Sequence, residues 1–404
     1  MFIGIDLGTS SVKSVLLDDK NRIAATATAP LEVQRPAPGH SEQNAESWWR
    51  AALQTIDELA HRAPKEVAAV AGIGLSGQMH GATLLDAAGE VLRPCILWND
   101  VRAAAECREL ERRLPDLGRI TGNPAMPGFT APKVMWVQKH EPAIFARIAK
   151  VLLPKAYLRY RLSGDFFEDM SDASGTLWLD VGARRWSDAA LAAADMSRAQ
   201  MPDLVEGSQP AGILRTELAR RWGMAKPPVI AGGAGDNAAG AVALGAIKPG
   251  DAFVSLGTSG VLWATTAGFA PNPQAAVHAF CHCVPQTWHQ MGVILSAASC
   301  LSWLSGLVGA AEVDLLRERG DSLERPSQVL FLPYLSGERT PHNDAEIRGA
   351  FAGLSHQSDR KELTQAVMEG VAFALKDCLD ALRAAGTDLE AADAIGGGSR
   401  SELW

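Results

Sequence analysis

The run Ala231-Gly232-Gly233-Ala234-Gly235-Asp236-Asn237-Ala238-Ala239-Gly240 sets one carboxylate among glycines, ahead of a stretch of small residues. Such a run is poorly suited to core packing. It suits a carboxylate pressed against a ligand, with a small-residue helix start that can lie close to phosphate oxygens. A tight strand-to-helix turn capped by Asp236 is the plainer alternative. A second carboxylate opens the chain in Asp6-Leu7-Gly8-Thr9-Ser10-Ser11. The glycine there lets backbone N–H groups approach phosphate closely, and Thr9, Ser10 and Ser11 add hydroxyl donors. Asp6 can hold a hydrated Mg²⁺, an ion that keeps most of its waters and needs only one or two carboxylates. Taken alone, the segment also reads as a hairpin turn with a capping aspartate.

Other segments carry weaker signals of the same kind. Ile395-Gly396-Gly397-Gly398-Ser399-Arg400 follows Asp393-Ala394, and its glycines could pass under an adenine or ribose. Ser76-Gly77-Gln78-Met79-His80-Gly81 and Leu97-Trp98-Asn99-Asp100-Val101-Arg102 follow apolar runs and mix polar groups with one aromatic, as a sugar pocket requires. A single Trp or His is more often part of a core. Cys281-His282-Cys283, with His278 and His289 nearby, lacks the second half of a zinc pattern and reads as ordinary packing.

The elements that must position these residues show an internal echo. Ile3 to Val12 and Phe253 to Val261 are each an apolar strand, a Gly-Thr-Ser turn and a second apolar strand, the pattern of a β-hairpin. Two such hairpins imply a duplicated architecture of two related halves, although four shared residues could recur by chance. Trp48, Trp49, Leu53, Ile56 and Leu59 fall at helical spacing and predict a helix over 45–61, and an amphipathic pattern over 361–385 predicts a long helix closed by Gly386. Residues 67–75 read as a β-rich run. The alternation argues for α/β layers, and the loop holding Pro249 and Gly250 marks a boundary, giving domains 1–245 and 246–404.

Composition excludes several classes. The 404 residues are 47% hydrophobic and 21% charged, with a net charge of −8 and no basic block, so neither nucleic acid nor an anionic membrane is an expected partner. No apolar signal core follows Met1, because Asp6 interrupts it. The uncharged stretch 291–311 carries four serines and three glycines and reads as a buried helix rather than a lipid-facing one. The six scattered cysteines fit a reducing cytoplasm.

Together these residues resemble the FGGY family of carbohydrate kinases, in the actin, hexokinase and chaperone-ATPase superfamily, over essentially the whole chain. Gly128-Phe129-Thr130-Ala131-Pro132-Lys133-Val134-Met135-Trp136-Val137 looks like one family signature and Phe331-Leu332-Pro333-Tyr334-Leu335-Ser336-Gly337-Glu338-Arg339-Thr340-Pro341 like another. Within the family, Gln78 to Gly81, Ile96 to Asp100 and Gly235 to Gly240 look most like the xylulose kinases.

The resemblance implies two α/β domains of the actin-like ATPase (ribonuclease H-like) type with a cleft between them. It implies transfer of the ATP γ-phosphoryl to the C5 hydroxyl of D-xylulose, with ATP and Mg²⁺ as cofactors, a sugar as the small-molecule partner, and a homodimer left open. Asp236 would be the base and a metal ligand, beside Asp6 as the catalytic Mg²⁺ ligand. Met79, His80, Trp98, Asp236 and Asn237 would line the sugar. Gly8, Thr9, Ser10 and Ser11 would hold phosphates, as would Gly257, Thr258, Ser259 and Gly260, and Gly397 and Gly398 would border the adenosine. Family members continue beyond the glycine triplet, so the resemblance also implies an incomplete second domain, an exposed apolar face on the 361–385 helix and weakened ATP binding. The rival readings are a sister kinase for ribulose, gluconate or glycerol, and a nucleotide-binding regulator of the same fold without transfer.

Overall fold

A computed structural model describes residues 1–320, 322 and 325–404. The chain divides into two compact units, Met1–Gly245 with Phe280–Thr287, and Ala246–Ala279 with Trp288–Trp404. The second unit is therefore interrupted in sequence by a short segment that packs with the first, which a single cut near 245 does not provide.

In the first unit, β1 (Phe2–Leu7) and β2 (Ser11–Leu17) pair antiparallel from Phe2↔Leu17 to Leu7↔Val12, and β3 (Ile23–Pro30) continues beyond β2. Period-two alternation sends Ile3, Ile5, Leu7, Val12 and Leu16 into the core. The helix α1 (Ala45–Arg62) covers β2 and β3. Asn44 caps it by accepting the Glu46 N–H at 2.9 Å, and Trp48, Ala52, Ile56 and Leu59 form its buried face. The core is not wholly apolar: Ser14 and Thr55 share a buried hydroxyl–hydroxyl bond of 2.7 Å.

The 67–75 run is not all strand. Pro64–Ala68 forms a helical turn, with proline at its first position where the missing N–H costs nothing, and β4 begins only at Gly72, running Gly72–Gly77 parallel to β1. Further along lie α2 (Thr130–His140), α3 (Pro154–Ser163), β5 (Pro210–Ile213), β6 (Val229–Ala231), β7 (Ala234–Gly235) and α4 (Asp236–Ala243). The sheet order is β5-β6-β4-β1-β2-β3, with β7 also pairing β4. Gly233 stands between β6 and β7 at φ +76, where an added Cβ would lie 2.2 Å from the Leu75 carbonyl oxygen, so the kink between the two short strands requires glycine.

The second unit repeats the scheme. β8 (Ala252–Leu256) and β9 (Gly260–Thr266) form a hairpin in register from Ala252↔Ala264 to Leu256↔Gly260. β10 (His278–Cys281), β11 (Trp288–Ile294) and β12 (Asp393–Ile395) complete a sheet of order β10-β11-β9-β8-β12. In both units the first strand of the hairpin has a parallel neighbour, β4 beside β1 and β12 beside β8.

The stretch 291–311 is not one buried helix: its start belongs to β11, and the helix α5 runs only Ala298–Val308, with Cys300, Leu301 and Leu304 buried but Leu307 64% exposed. Residues alternating on a sheet and residues repeating on a helix can both be uncharged, so the lack of charge did not separate them. Among the described residues no single helix is long and apolar enough to cross a membrane. The long helix α6 spans Arg360–Ala384, capped by Asp359 and followed by Gly386 at φ +89. It buries Val367, Val371, Cys378 and Leu382 and leaves Phe373 exposed.

Candidate active site

Three parallel strands of the first unit, β1, β4 and β7, end at the same edge of the sheet, the edge at which open α/β sheets place ligands. Registers Asp6↔Ser76 and Ala234↔Ser76, with Leu7↔Gly77 and Gly235↔Gly77, set the ends of β1 and β7 on either side of the end of β4. Two strand spacings, about 10 Å, therefore separate the backbones that carry Asp6 and Asp236. Gln78, Met79 and His80 leave β4 between them.

Asp236 opens α4. Its Oδ1 accepts the Asn237 N–H at 2.7 Å, so it does not act as the cap of its own helix, a place taken by Gly235. It is exposed to solvent, yet surrounding protein partly desolvates its carboxyl. That surrounding protein pushes its carboxyl up to about 6, against the bond from Asn237 and helped by the negative charge of Asp6. Asn237 is exposed beside it. Met79 is buried and fills the place of a side chain at Gly235: a Cβ there would meet Met79 Cγ and Sδ at 2.8 Å.

His80 takes φ +69, uncommon for a residue with a Cβ, and its Nδ1 lies 2.8 Å from the Gly175 carbonyl oxygen. The turn is held from below. The His80 carbonyl accepts Thr130 Oγ1 at 3.0 Å and Lys133 Nζ at 3.0 Å, both from α2, and Lys133 also donates to the Gly128 carbonyl at 2.6 Å. Lys133 is fully buried, and burial pulls its ammonium down to about 7.

The turn after β1 is already partly committed. Gly8 donates its N–H to Ser11 O at 3.0 Å, and the Thr9 hydroxyl accepts Trp98 Nε1 at 3.0 Å while donating to Gln78 Oε1 at 3.3 Å. Trp98 is nonetheless 47% exposed, so its ring remains available. The loop that carries it is fastened by Asp100, buried under Arg102 at 2.7 Å and accepting the Ser41 N–H at 2.6 Å. Asp6 is exposed and accepts Ser76 Oγ at 2.7 Å. Beside it opens a recess of about 700 Å³ lined by Gly4, Lys13, Ser76, Gly233 and Ala239 among others.

The model of the FGGY family of carbohydrate kinases, N-terminal domain, matches residues 1–243, and that of the C-terminal domain matches 252–404. The xylulose kinase of Escherichia coli strain K12 is 54% identical over 405 residues, covering 100% of this chain and 83% of that protein. The xylulose kinase of Klebsiella pneumoniae is 52% identical with the same coverage. The solved structure of a "xyloylose kinase" from Brucella ovis superposes with a TM-score of 0.96 at 58% identity, again over 100% of this chain and 83% of the other. The chain belongs to the FGGY family of carbohydrate kinases.

As an FGGY kinase it is an ATP-dependent sugar kinase with the two-domain, actin-like fold of that family. In its second unit the turn Gly257–Gly260 links β8 and β9. The Gly257 and Thr258 carbonyls accept Ala298 N–H at 2.8 Å and Ala297 N–H at 2.9 Å, so the start of α5 is fastened to this turn. β12 runs beside β8, and an added Cβ at Gly398 would lie 2.8 Å from Leu256 Cβ, so the glycine triplet lies close against the end of β8.

Two residues of this FGGY kinase went unassigned in the sequence. Lys13 pairs with Asp6 across the hairpin and lines the same recess. Counting back from the turn would have found it, since an antiparallel hairpin fixes which residues face each other. Lys133 lay inside a family signature, but nothing local shows that its amine reaches back to the His80 carbonyl. The Cys281-His282-Cys283 segment has Cys283 Sγ 3.4 Å from His282 Nδ1, and burial pushes both thiols up to about 12, which keeps them protonated.

Proposed function

We propose that this kinase transfers the γ-phosphoryl group of ATP to the C5 hydroxyl of D-xylulose, giving D-xylulose 5-phosphate and ADP. The observation that carries the reading is the 54% identity, over the whole chain, to a xylulose kinase. The edge where Asp236, Met79 and His80 emerge together supports it.

An alcohol is a weak nucleophile, so a carboxylate must take its proton as the oxygen attacks phosphorus. Asp236 is the base in this reading. Its Oδ1 is held by Asn237, which leaves Oδ2 for the sugar proton. With a carboxyl near 6 it is largely ionised at neutral pH, yet closer to the working pH than an ordinary aspartate, which favours proton transfer. Met79, His80 and Trp98 line the sugar, and the Asn237 amide hydrogen-bonds it.

The ATP phosphates take donors from Gly8–Ser11 in the first unit and from Gly257–Gly260 in the second, with Gly397 and Gly398 bordering the adenosine. Lys13 adds a cation beside Asp6. The donor set of Asp6 and Asp236 fits Mg²⁺: both carboxylates are exposed at one strand edge, and the charge of Asp6 is felt at Asp236. Held by these two residues, Mg²⁺ would supply neutralisation of the phosphoryl charge. All six cysteines are buried and free, in keeping with a reducing cytoplasm as the place of action.

The test is ATP consumption, coupled to ADP detection, over a panel of D-xylulose, D-ribulose, gluconate and glycerol. The expected result is the highest kcat/KM with D-xylulose, and heat on titrating xylulose without ATP. A higher kcat/KM for ribulose, gluconate or glycerol would transfer the protein to a sister activity.

A further inference from the structure

The run that delivers the base has almost no side chains of its own. Gly232, Gly233, Ala234 and Gly235 cannot wedge themselves in place, and glycine loses the most freedom on ordering. Buried side chains from elsewhere hold both ends of the run. At its start, Arg159 of α3 donates Nη2 to the Gly232 carbonyl, and its Nη1 to the Phe167 carbonyl at 2.7 Å. At its end, the Gly235 N–H donates to Ser171 Oγ at 3.1 Å. Gly235 immediately precedes Asp236 and has Met79 against its other face.

Ser171 is itself fixed. Its hydroxyl donates to Asp169 Oδ2 at 2.5 Å, and the same oxygen accepts the Ser171 N–H at 2.8 Å. Asp169 Oδ1 meets Lys155 Nζ at 2.8 Å, and Lys155 also meets Glu168 at 2.7 Å and Asp172 at 3.4 Å. Arg159, Lys155, Glu168, Asp169, Ser171 and Asp172 are all at most 1% exposed. Burial works against the Lys155 charge, but Asp169 and Glu168 outweigh it and hold the ammonium above its ordinary value. Burial raises the Asp172 carboxyl well above the carboxylate range, with Glu168 and Asp169 adding to the effect and Lys155 opposing it. Removing one partner from a buried charge network of this kind is costly, because the charge left behind has no water to solvate it.

We propose that Ser171 and Arg159, braced by Asp169 and Lys155, are positioning residues for Asp236, fixing the two ends of Gly232–Gly235 so that the base meets the sugar hydroxyl at hydrogen-bond distance. The proposal rests on the reading of Asp236 as base. A displacement of about 1 Å at a reacting group can cost about 10²-fold in rate, and Gly235, whose N–H Ser171 holds, is the residue next to Asp236.

The experiment compares the full chain with S171A and S171T, measuring kcat, the KM for ATP and thermal unfolding of each, with rates normalised to folded protein. S171A is expected to lose about 10- to 100-fold in kcat with the KM for ATP unchanged, and S171T, which keeps a hydroxyl, to recover most of the loss. A merely structural role would lower folded protein and leave normalised kcat alone; S171A with wild-type normalised kcat overturns the proposal. Wild-type protein that leaves D-xylulose unphosphorylated overturns the functional reading instead. The positioning claim is then decided by crystal structures of wild type and S171A: a shifted Asp236 carboxylate supports it and an unmoved one overturns it.

Discussion

Trp98 donates its indole N–H to the hydroxyl of Thr9 at 3.0 Å, tying the proposed sugar wall to the proposed phosphate turn. The tie continues inward. Thr9 donates to Gln78, Gln78 Nε2 donates to Gln43 Oε1 at 3.0 Å, and buried Trp48 donates to the same oxygen at 3.0 Å. The proposed sugar residue and the proposed phosphate residue are thus neighbouring links in one hydrogen-bonded chain anchored in the core.

Replacing Trp98 by Phe keeps a ring against the sugar and removes only this bond. A net hydrogen bond is worth about 0.5–1.5 kcal/mol, so the KM values for xylulose and for ATP should both rise, by about 2- to 10-fold. Steady-state kinetics with each substrate varied in turn checks it. A rise confined to xylulose would mean that the bond does not couple the two sites.

Asp236→Asn should lower kcat by about 10²–10⁴-fold, the usual contribution of a positioned base. In the wild type, kcat/KM should fall as pH drops through about 6, where Asp236 gains its proton. The stability effect has the opposite sense from an ordinary ion-paired carboxylate. Its folded pKa is raised, so the folded state holds the proton more tightly than the unfolded one. The associated stability is full below the ordinary aspartate value and is lost as pH rises through about 6. The Asn variant should therefore melt higher than the wild type at neutral pH, and the gap should close in acid. Thermal unfolding at a series of pH values, alongside the rate profile, reads both effects.

Asp6→Asn tests the metal assignment. The variant keeps an oxygen for Ser76, which donates to Asp6 Oδ1 at 2.7 Å, so the strand edge should stay intact. The Mg²⁺ concentration for half-maximal rate should rise at least about tenfold, while the affinity for xylulose measured by calorimetry changes little. An unaltered Mg²⁺ titration would remove Asp6 from that role.

Lys133→Met removes two bonds, to the carbonyls of His80 and Gly128, without leaving a cavity of much size. The Gly128 carbonyl loses that donor inside the protein, a loss of about 1–3 kcal/mol of stability. With the lysine gone, Thr130 still donates to the His80 carbonyl at 3.0 Å but the turn is held less firmly, so the KM for xylulose should rise several-fold while that for ATP stays put. Denaturant melts and the split between the two KM values separate these consequences.

The elements that carry the proposed reaction edge were largely legible in the chain itself. Two Gly-Thr-Ser hairpins, the 45–61 helical stripe, the 361–385 helix and the glycine run before Asp236 are local patterns, and local patterns are what backbone sterics and side-chain periodicity can encode. The hairpin even contained Lys13 opposite Asp6, because a short turn fixes register. What the chain order did not contain is which distant segments meet. β4 is inserted between β1 and β7, elements separated by more than two hundred residues, and that pairing alone brings Asp6, Met79 and Asp236 to one edge. Phe280–Thr287 leaves its neighbours in sequence to pack with the first unit. Lys133 reaches the carbonyl of His80 across 53 residues and Ser171 reaches the N–H of Gly235 across 64. None of these has a periodicity, since a hydrogen bond between remote segments depends on the distance and angle left after the sheet has formed. Residue types and spacing determined which chemistry this protein could carry. The packing of strands remote in sequence decided where Asp236, the proposed base, stands.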